Sequence, residues 1–426
     1  MIGSADVEAD MDKLATPAQR LNRRLRPLYV SQFFQGLVIW YPIEKLFMRQ
    51  IGFDDAAIGL MAAIYAGLTL LIEVPSGILA DRWSRKGVLV LAGVALLLNA
   101  LVAGLSNDVA TYIASAAILA VFFALNSGTV DSIVYDTVVE EVGESDGFEA
   151  RLGRIRVLTS VTSVVGALSG GVVAMLLEPR VAYFLTIPFM LISIAALRGL
   201  REPHLHQAGD PMSIRAQLAT TYRTLVGHRA LVPVLVGLVA TSVLIQAVLE
   251  FGPLWLVATG APVLLFGPHG AGLLSSFGFG GFLGGRIKSI GRLTSTAALV
   301  VMLVASSLIL IVVADAIVAT IAQVVLASAL VAVSIGFTGK LHDATPSSVR
   351  AGVSSAVGSM SWLVFLPFSI VFGVVSSEMG VFDAGWLIAA GAIVLAIVLV
   401  RTELASRTKS VQGSSLAASA VAAPAA

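Results

Sequence analysis

Runs of about 20 apolar residues, repeated along most of the 426-residue chain, constrain its fold more than any other feature. A helix of that length crosses roughly 30 Å of hydrocarbon. Inside lipid every backbone N–H and C=O must bond within its own segment, so each run is predicted to be a helix. No regular apolar–polar alternation suggests an outer-membrane barrel. The chain is 57% hydrophobic and only 12% charged, against roughly 25% charged for a soluble domain.

The spans fall near Pro27–Phe47, Ala57–Ala80, Val88–Leu105, Val109–Val134, Ile155–Leu177 and Val181–Leu200. A second set falls near Leu231–Val257, Leu264–Gly285, Ser295–Ala314, Ala316–Thr338, Gly352–Ser377 and Phe382–Val400. The expected fold is therefore an all-α membrane protein with twelve transmembrane helices in two bundles of six. The expected organisation is a cytoplasmic N-terminal tail (1–26), a first bundle (27–200), a cytoplasmic central loop (201–230), a second bundle (231–401) and a disordered cytoplasmic tail (402–426). Residues 1–26 carry no apolar core, so no cleavable leader is expected. The segment Ser213–Leu225 is predicted to form a short amphipathic helix on the membrane surface.

Charge placement tests this map. Of the 27 Lys and Arg residues, all but Lys45, Arg49 and Arg180 fall on the same side of the alternating spans. That is the positive-inside pattern, and it places both termini in the cytoplasm of a cell whose inner membrane holds the chain. The net charge of +1 gives no nucleic-acid footprint. Zero cysteines exclude disulfides, thiolate metal sites and cysteine nucleophiles. No phosphate-binding glycine loop with a following lysine is present, which argues against ATP-driven transport by this chain. No Ser/His/Asp set or H-x-x-x-H spacing is found either; the five histidines lie mostly in loops, and His204 and His206, a weak metal signal, read as solvated, so no enzyme activity, metal or cofactor is expected.

The second span ends in Gly77-Ile-Leu-Ala-Asp81-Arg82-Trp-Ser84-Arg85-Lys86. Six spans later stands Gly281-Phe-Leu-Gly-Gly285-Arg286-Ile-Lys288, with glycine, leucine and arginine at the same spacing. A second pair joins Tyr135-Asp136 to His342-Asp343, each followed by arginine. Such a repeat suggests two related halves about an axis along the membrane normal, with a substrate site where they meet.

GILADRWSRK resembles the signature between the second and third spans of the major facilitator superfamily, with Ser84 where a second glycine is usual. Glu73 and Pro75 supply its E-x-P-S-G lead-in, and Ser127–Val138, Arg201-Glu202-Pro203 and Asp343–Ala351 are similar to such proteins too. The resemblance covers all twelve spans and says little about substrate. It implies a secondary transporter working by alternating access.

It also implies a conformational latch of Gly77, Asp81, Arg82, Arg85, Lys86 and Asp136. In it, Asp81 meets the N-terminus of the eleventh span near Gly352 and Ser354, and Arg85 bridges Asp81 to Asp136. Plain positive-inside anchoring is the alternative for the basic residues.

Glu73, Asp131 and Glu250 are candidates for proton coupling, because a charge deep in a span costs on the order of 3 kcal/mol unless it faces protein or a cavity. A structural pairing of Glu73 with Arg82 or Arg85 is the alternative. Gln32, Gln35, Tyr41, Glu44, Gln246 and Glu250 are candidates for the substrate cavity. Trp40, Tyr41, Glu44, Lys45 and Arg49 also read as an interfacial belt whose charged ends snorkel to water. Gly166-Ala-Leu-Ser-Gly170-Gly171 resembles an exporter signature with alanine for proline, and glycines also let helices approach closely. The expected function is proton-coupled efflux of a small organic molecule by a monomer in the lipid bilayer. Uptake symport of a metabolite, and a non-transporting sensor or scaffold of the same fold, are the alternatives.

Overall fold

The computed structural model describes residues 16–144, 147–203, 231–290, 292–343, 345 and 350–421; at 17, 74, 78, 81, 287–290, 292, 350–352 and 406–421 only the backbone is described. Among these residues there are helices and no strands. The helices are α1 (Pro17–Gly36), α2 (Glu44–Gln50), α3 (Asp55–Arg82), α4 (Arg85–Leu105), α5 (Val109–Asn126), α6 (Thr129–Val142), α7 (Phe148–Leu176) and α8 (Pro179–Leu197). After the central segment come α9 (Val232–Phe251), α10 (Pro253–Ala258), α11 (Val263–Ile290), α12 (Arg292–Val312), α13 (Ala316–Asp343), α14 (Arg350–Met379) and α15 (Val381–Val421).

Among the described residues ten segments are long and apolar enough to cross a membrane, with α5–α6 and α9–α10 each counting as one. The remaining two long helices, α1 and α11, complete twelve. Their composition explains the shortfall: α1 carries Arg20, Arg23, Arg24 and Arg26 besides Gln32 and Gln35, and α11 carries Pro268, His269 and many glycines. The predicted surface helix at Ser213–Leu225 lies outside the described residues.

The chain divides into two compact units, one within Met1–Pro211 and Gly260–Leu274, the other within Met212–Thr259 and Ser275–Ala426. The sequence boundary at residue 231 does not anticipate that the first part of α11 clusters with the first unit.

Within the first unit, α1 begins ten residues before the expected Pro27. Thr16 and Gln19 form a reciprocal capping box, with hydrogen bonds of 3.3 and 2.9 Å. Leu21, Leu25 and Leu28 recur at helical spacing and are fully buried. They pack against Val130, Ile133, Val134 and Val138 of α6, Ile155 of α7, and Leu197 and Leu200. Residues 17–26 are therefore part of the packed fold and not a tail. At the other end, α15 continues to Val421, into the tail predicted to be disordered; its alanines are strong helix formers.

The first span is also not continuous to Phe47. α1 stops at Gly36, and a 3-10 turn (Tyr41–Ile43) leads into the short α2. The freed backbone is satisfied locally: Val38 N–H donates to the Gly36 carbonyl at 2.9 Å and Ile39 N–H to Thr186 Oγ1 at 3.3 Å. The fourth span breaks between α5 and α6 at Gly128, whose φ of 71° lies where side chains are disfavoured.

In the second unit, buried polar groups close the packing. Trp255 Nε1 donates to the Leu310 carbonyl at 2.7 Å, and Gln323 Nε2 to the Gly252 carbonyl at 3.1 Å. Phe251 and Phe372 stack beside them at 4.2 Å.

Candidate functional site

One charge cluster gathers where α3 ends and α4 begins. Ser84 caps α4, accepting from Gly87 N–H at 2.8 Å. The next residue, Arg85, pairs with Asp136 of α6, and its Nη1 also donates to the Ser132 carbonyl at 3.3 Å. The two side chains are only 14% and 15% exposed, so low-dielectric surroundings strengthen the pair. Arg82 and Gly77 are exposed. The Asp81 side chain is not among those described, and at Gly352 only the backbone is, so the Asp81 half of the expected latch is not seen.

Glu202 carries a role that the sequence reading did not assign. Its carboxylate accepts from Ser84 Oγ at 2.6 Å, from Arg85 N–H at 2.7 Å and from Lys86 N–H at 3.2 Å. An acid there satisfies orphan amides and suits the positive end of the α4 dipole. Lys86 Nζ donates to the Arg198 carbonyl at 2.8 Å, tying the same region to the end of α8. The Arg-Glu-Pro run after the sixth span was the available signal.

The second cluster joins α1 to α6. Arg24 donates to Glu141 at 2.8 Å and to Glu140 at 3.1 Å, and Arg20 reaches Glu141 at 3.3 Å. Asp131 instead pairs with Arg156 of α7 at 3.1 Å, in an exposed setting. The structure thus separates Asp131 from Asp136 by giving each its own arginine.

Glu73 is half-buried on α3, and among the described residues its Oε2 is buried without a hydrogen-bond partner. The expected pairing with Arg82 or Arg85 is not present. Ser76, on the next turn, donates to the Glu73 and Ala124 carbonyls, both at 2.8 Å, and so links α3 to α5.

Gln32 and Gln35 are buried and joined by a 2.9 Å hydrogen bond. Tyr41 is partly buried in the turn that follows. Trp40 stacks on Tyr183 at 5.3 Å, and its indole N–H is buried without an acceptor among the described residues. Glu44 accepts from Tyr112 at 3.1 Å and from Lys45 at 3.1 Å, and Tyr112 meets Tyr183 at 2.7 Å. Lys45 is 1% exposed, which corrects the expectation that it snorkels to water: its ammonium is held inside by Glu44. Gln246 and Glu250 stand one turn apart on α9 in the second unit, both partly buried.

The glycine run of α7 is explained by close packing. A Cβ on Gly166 would lie 3.1 Å from the Val38 nitrogen, and one on Gly171 would lie 2.7 Å from the Gly267 nitrogen. His269 is fully buried within α11, inside the span expected at Leu264–Gly285. Among the described residues no group of three His, Cys, Asp or Glu side chains could hold a metal.

Apolar spans, a split first helix and a charge cluster at the α3–α4 turn define a polytopic membrane protein. The family profile described as Major Facilitator Superfamily matches residues 28–366, and the chain belongs to that family. An uncharacterized MFS-type transporter of Yersinia pestis is 32% identical over 178 residues, covering 40% of this chain and 44% of the relative. The chain thus spans less than half the length of that relative in the match.

Two solved structures share the fold. The nucleoside transporter NupG superposes with a TM-score of 0.73 at 15% identity, over 90% of this chain and 99% of that one. A bacterial homolog of the human lysosomal transporter Spinster, inward-facing and occupied, gives 0.70 at 16% identity, over 92% and 98%.

Proposed function

We propose that the chain exports a small organic molecule across the cytoplasmic membrane in exchange for protons, by alternating access, with both termini in the cytoplasm. The observation that carries proton coupling is the buried, unpartnered Glu73 oxygen on a membrane-crossing helix. A carboxyl group so placed takes up and releases a proton as its surroundings change access. Glu250 on α9 is the counterpart we assign to the second unit, and Asp131, paired with exposed Arg156, we assign a gating role.

The Gln32–Gln35 pair and the unpartnered Trp40 indole N–H favour a cargo with hydrogen-bond acceptors. Tyr41, Glu44 and Gln246 complete the assigned cavity. Gly77, Asp81, Arg82, Arg85, Lys86 and Asp136 form the latch in this reading, with Arg85–Asp136 as its part within the first unit. Orientation rests on the one-sided distribution of Lys and Arg. Export is favoured by the likeness of the α7 glycine run to exporters, although packing alone accounts for those glycines.

The test is flux in inverted membrane vesicles with an imposed proton gradient, after a compound screen of a deletion strain supplies a cargo. Accumulation driven by inward acidification, lost in Glu73→Gln with normal expression, is the expected result. Gradient-driven movement in the opposite sense would establish uptake. Flux of Glu73→Gln that still follows the gradient would overturn the role given to Glu73.

A further inference from the structure

A groove of about 480 Å³ runs along one stripe of α7, lined by Ala150, Gly153, Arg154, Val157, Leu158 and Val161. Its two ends differ in chemistry. Arg154 at one end is exposed and has no carboxylate partner among the described residues. This sets it apart from nearby Arg156, Arg85 and Arg24, each of which holds an acid. Arg151, one turn back on the same stripe, donates to the Gly147 carbonyl at 3.0 Å, so two like charges stand three residues apart. The other end is apolar: Val157 and Val161 are 64% and 57% exposed. Gly153 keeps the groove open, since a Cβ there would meet nothing within 4 Å. From Arg154 to Val161 the stripe rises about 10 Å at the helical pitch, within the roughly 15 Å hydrocarbon depth of one leaflet.

We propose that this groove binds one anionic phospholipid, its phosphate on Arg154 and an acyl chain along Val157, Leu158 and Val161. Charge selects the occupant: two guanidinium groups with no acid partner among the described residues favour an anion, and the exposed valine ridge beside them favours one that carries a hydrocarbon chain. The assignment to the cytoplasmic leaflet rests on the orientation proposed above.

Native mass spectrometry of the full chain released from bilayers of equal phosphatidylglycerol and phosphatidylcholine tests the site. The wild type is expected to retain phosphatidylglycerol preferentially. Arg154→Gln should lower that retention about fivefold, the effect of one basic residue at an anionic surface. Val157→Trp, which fills the groove and keeps the charge, should lower it as well. Arg401→Gln, removing an exposed basic residue elsewhere, should leave it unchanged. Equal retention of both lipids, equal losses in Arg154→Gln and Arg401→Gln, or full retention in Val157→Trp would each overturn the proposal. Orientation is read separately, by labelling Ala150→Cys with an impermeant maleimide in inside-out and right-side-out vesicles. Labelling from outside alone would refute the leaflet and the orientation while leaving the lipid result to stand.

Discussion

A Cβ on Gly170 of α7 would lie 2.1 Å from the carbonyl oxygen of Ile39, in the break that splits the first span. Gly36 and Gly166 have comparable close neighbours, at 2.0 Å from Thr162 Oγ1 and 3.1 Å from the Val38 nitrogen. Backbone cannot yield as a flexible side chain does, so Gly170→Ala must push α7 away from residues 37–42. We expect a loss of about 3 kcal/mol or more, the upper end of overpacking costs. Gly336→Ala on α13 adds a methyl into open space and should change stability by less than about 1 kcal/mol. Thermal unfolding of the two purified variants separates them, and equal behaviour would reject the packing account.

Burial of Leu25 beside the Arg24–Glu141 ion pair makes the start of α1 a structural element. Leu25→Ala should cost about 2–5 kcal/mol, as for a core leucine. Arg24→Gln should cost less, and its effect should shrink as salt rises because the pair is partly exposed. Unfolding curves at low and high ionic strength check both. A Leu25→Ala variant as stable as wild type would mean that the segment does not belong to the core.

What the sequence made legible follows from physical range. Twelve spans and the one-sided charge distribution are local properties, readable from composition along the chain. The early start of α1 is hidden because Arg20, Arg23, Arg24 and Arg26 mask leucines at positions 21, 25 and 28, most of whose partners lie more than 100 residues away. The break after Gly36 has its cause in glycines of α7, which no local pattern in the first span announces. Arg85 and Asp136 were named together from family resemblance, and their side chains do meet. The caps that Glu202 supplies depend on the chain returning to α4 after the sixth span, so the residue type alone did not reveal them.

Arg85 and Asp136 offer a charge-swap test. Asp136→Asn should destabilise the first unit by about 2–3 kcal/mol, below the roughly 3–5 kcal/mol of a fully buried pair. The double variant Arg85→Asp with Asp136→Arg should recover part of that loss. Where the pair also works as half of a latch, Asp136→Asn should change transport rate by more than its stability loss explains. Cysteine-pair accessibility can follow the conformations, since the chain has no cysteine of its own. Transport unaffected in Asp136→Asn would leave the pair a purely structural contact.

Glu202 should be separable from that latch. Its carboxylate caps three donors at the start of α4, and Glu202→Ala should cost about 1–2 kcal/mol, as for loss of an N-cap. Glu202→Gln keeps one acceptor oxygen and should cost less. Neither change removes the Arg85–Asp136 pair, so transport per folded molecule should stay near wild type. A steep fall in transport by Glu202→Gln at unchanged melting temperature would show that the cap is part of the moving machinery.

Lys45 provides the sharpest test of the cluster around Glu44. Its ammonium is 1% exposed and 3.1 Å from Glu44, while Tyr112 donates to the same carboxylate. Lys45→Met should leave a buried acid short of a cation and cost about 3–5 kcal/mol. Glu44→Gln alone should also destabilise, by stranding the ammonium. The double variant should be more stable than the sum of the two losses predicts, because an uncharged pair of similar volume strands neither charge. A double-mutant cycle on melting temperature measures the coupling. Additive losses would mean that Lys45 and Glu44 are held independently by other neighbours, and the buried pair would then not be what positions α2.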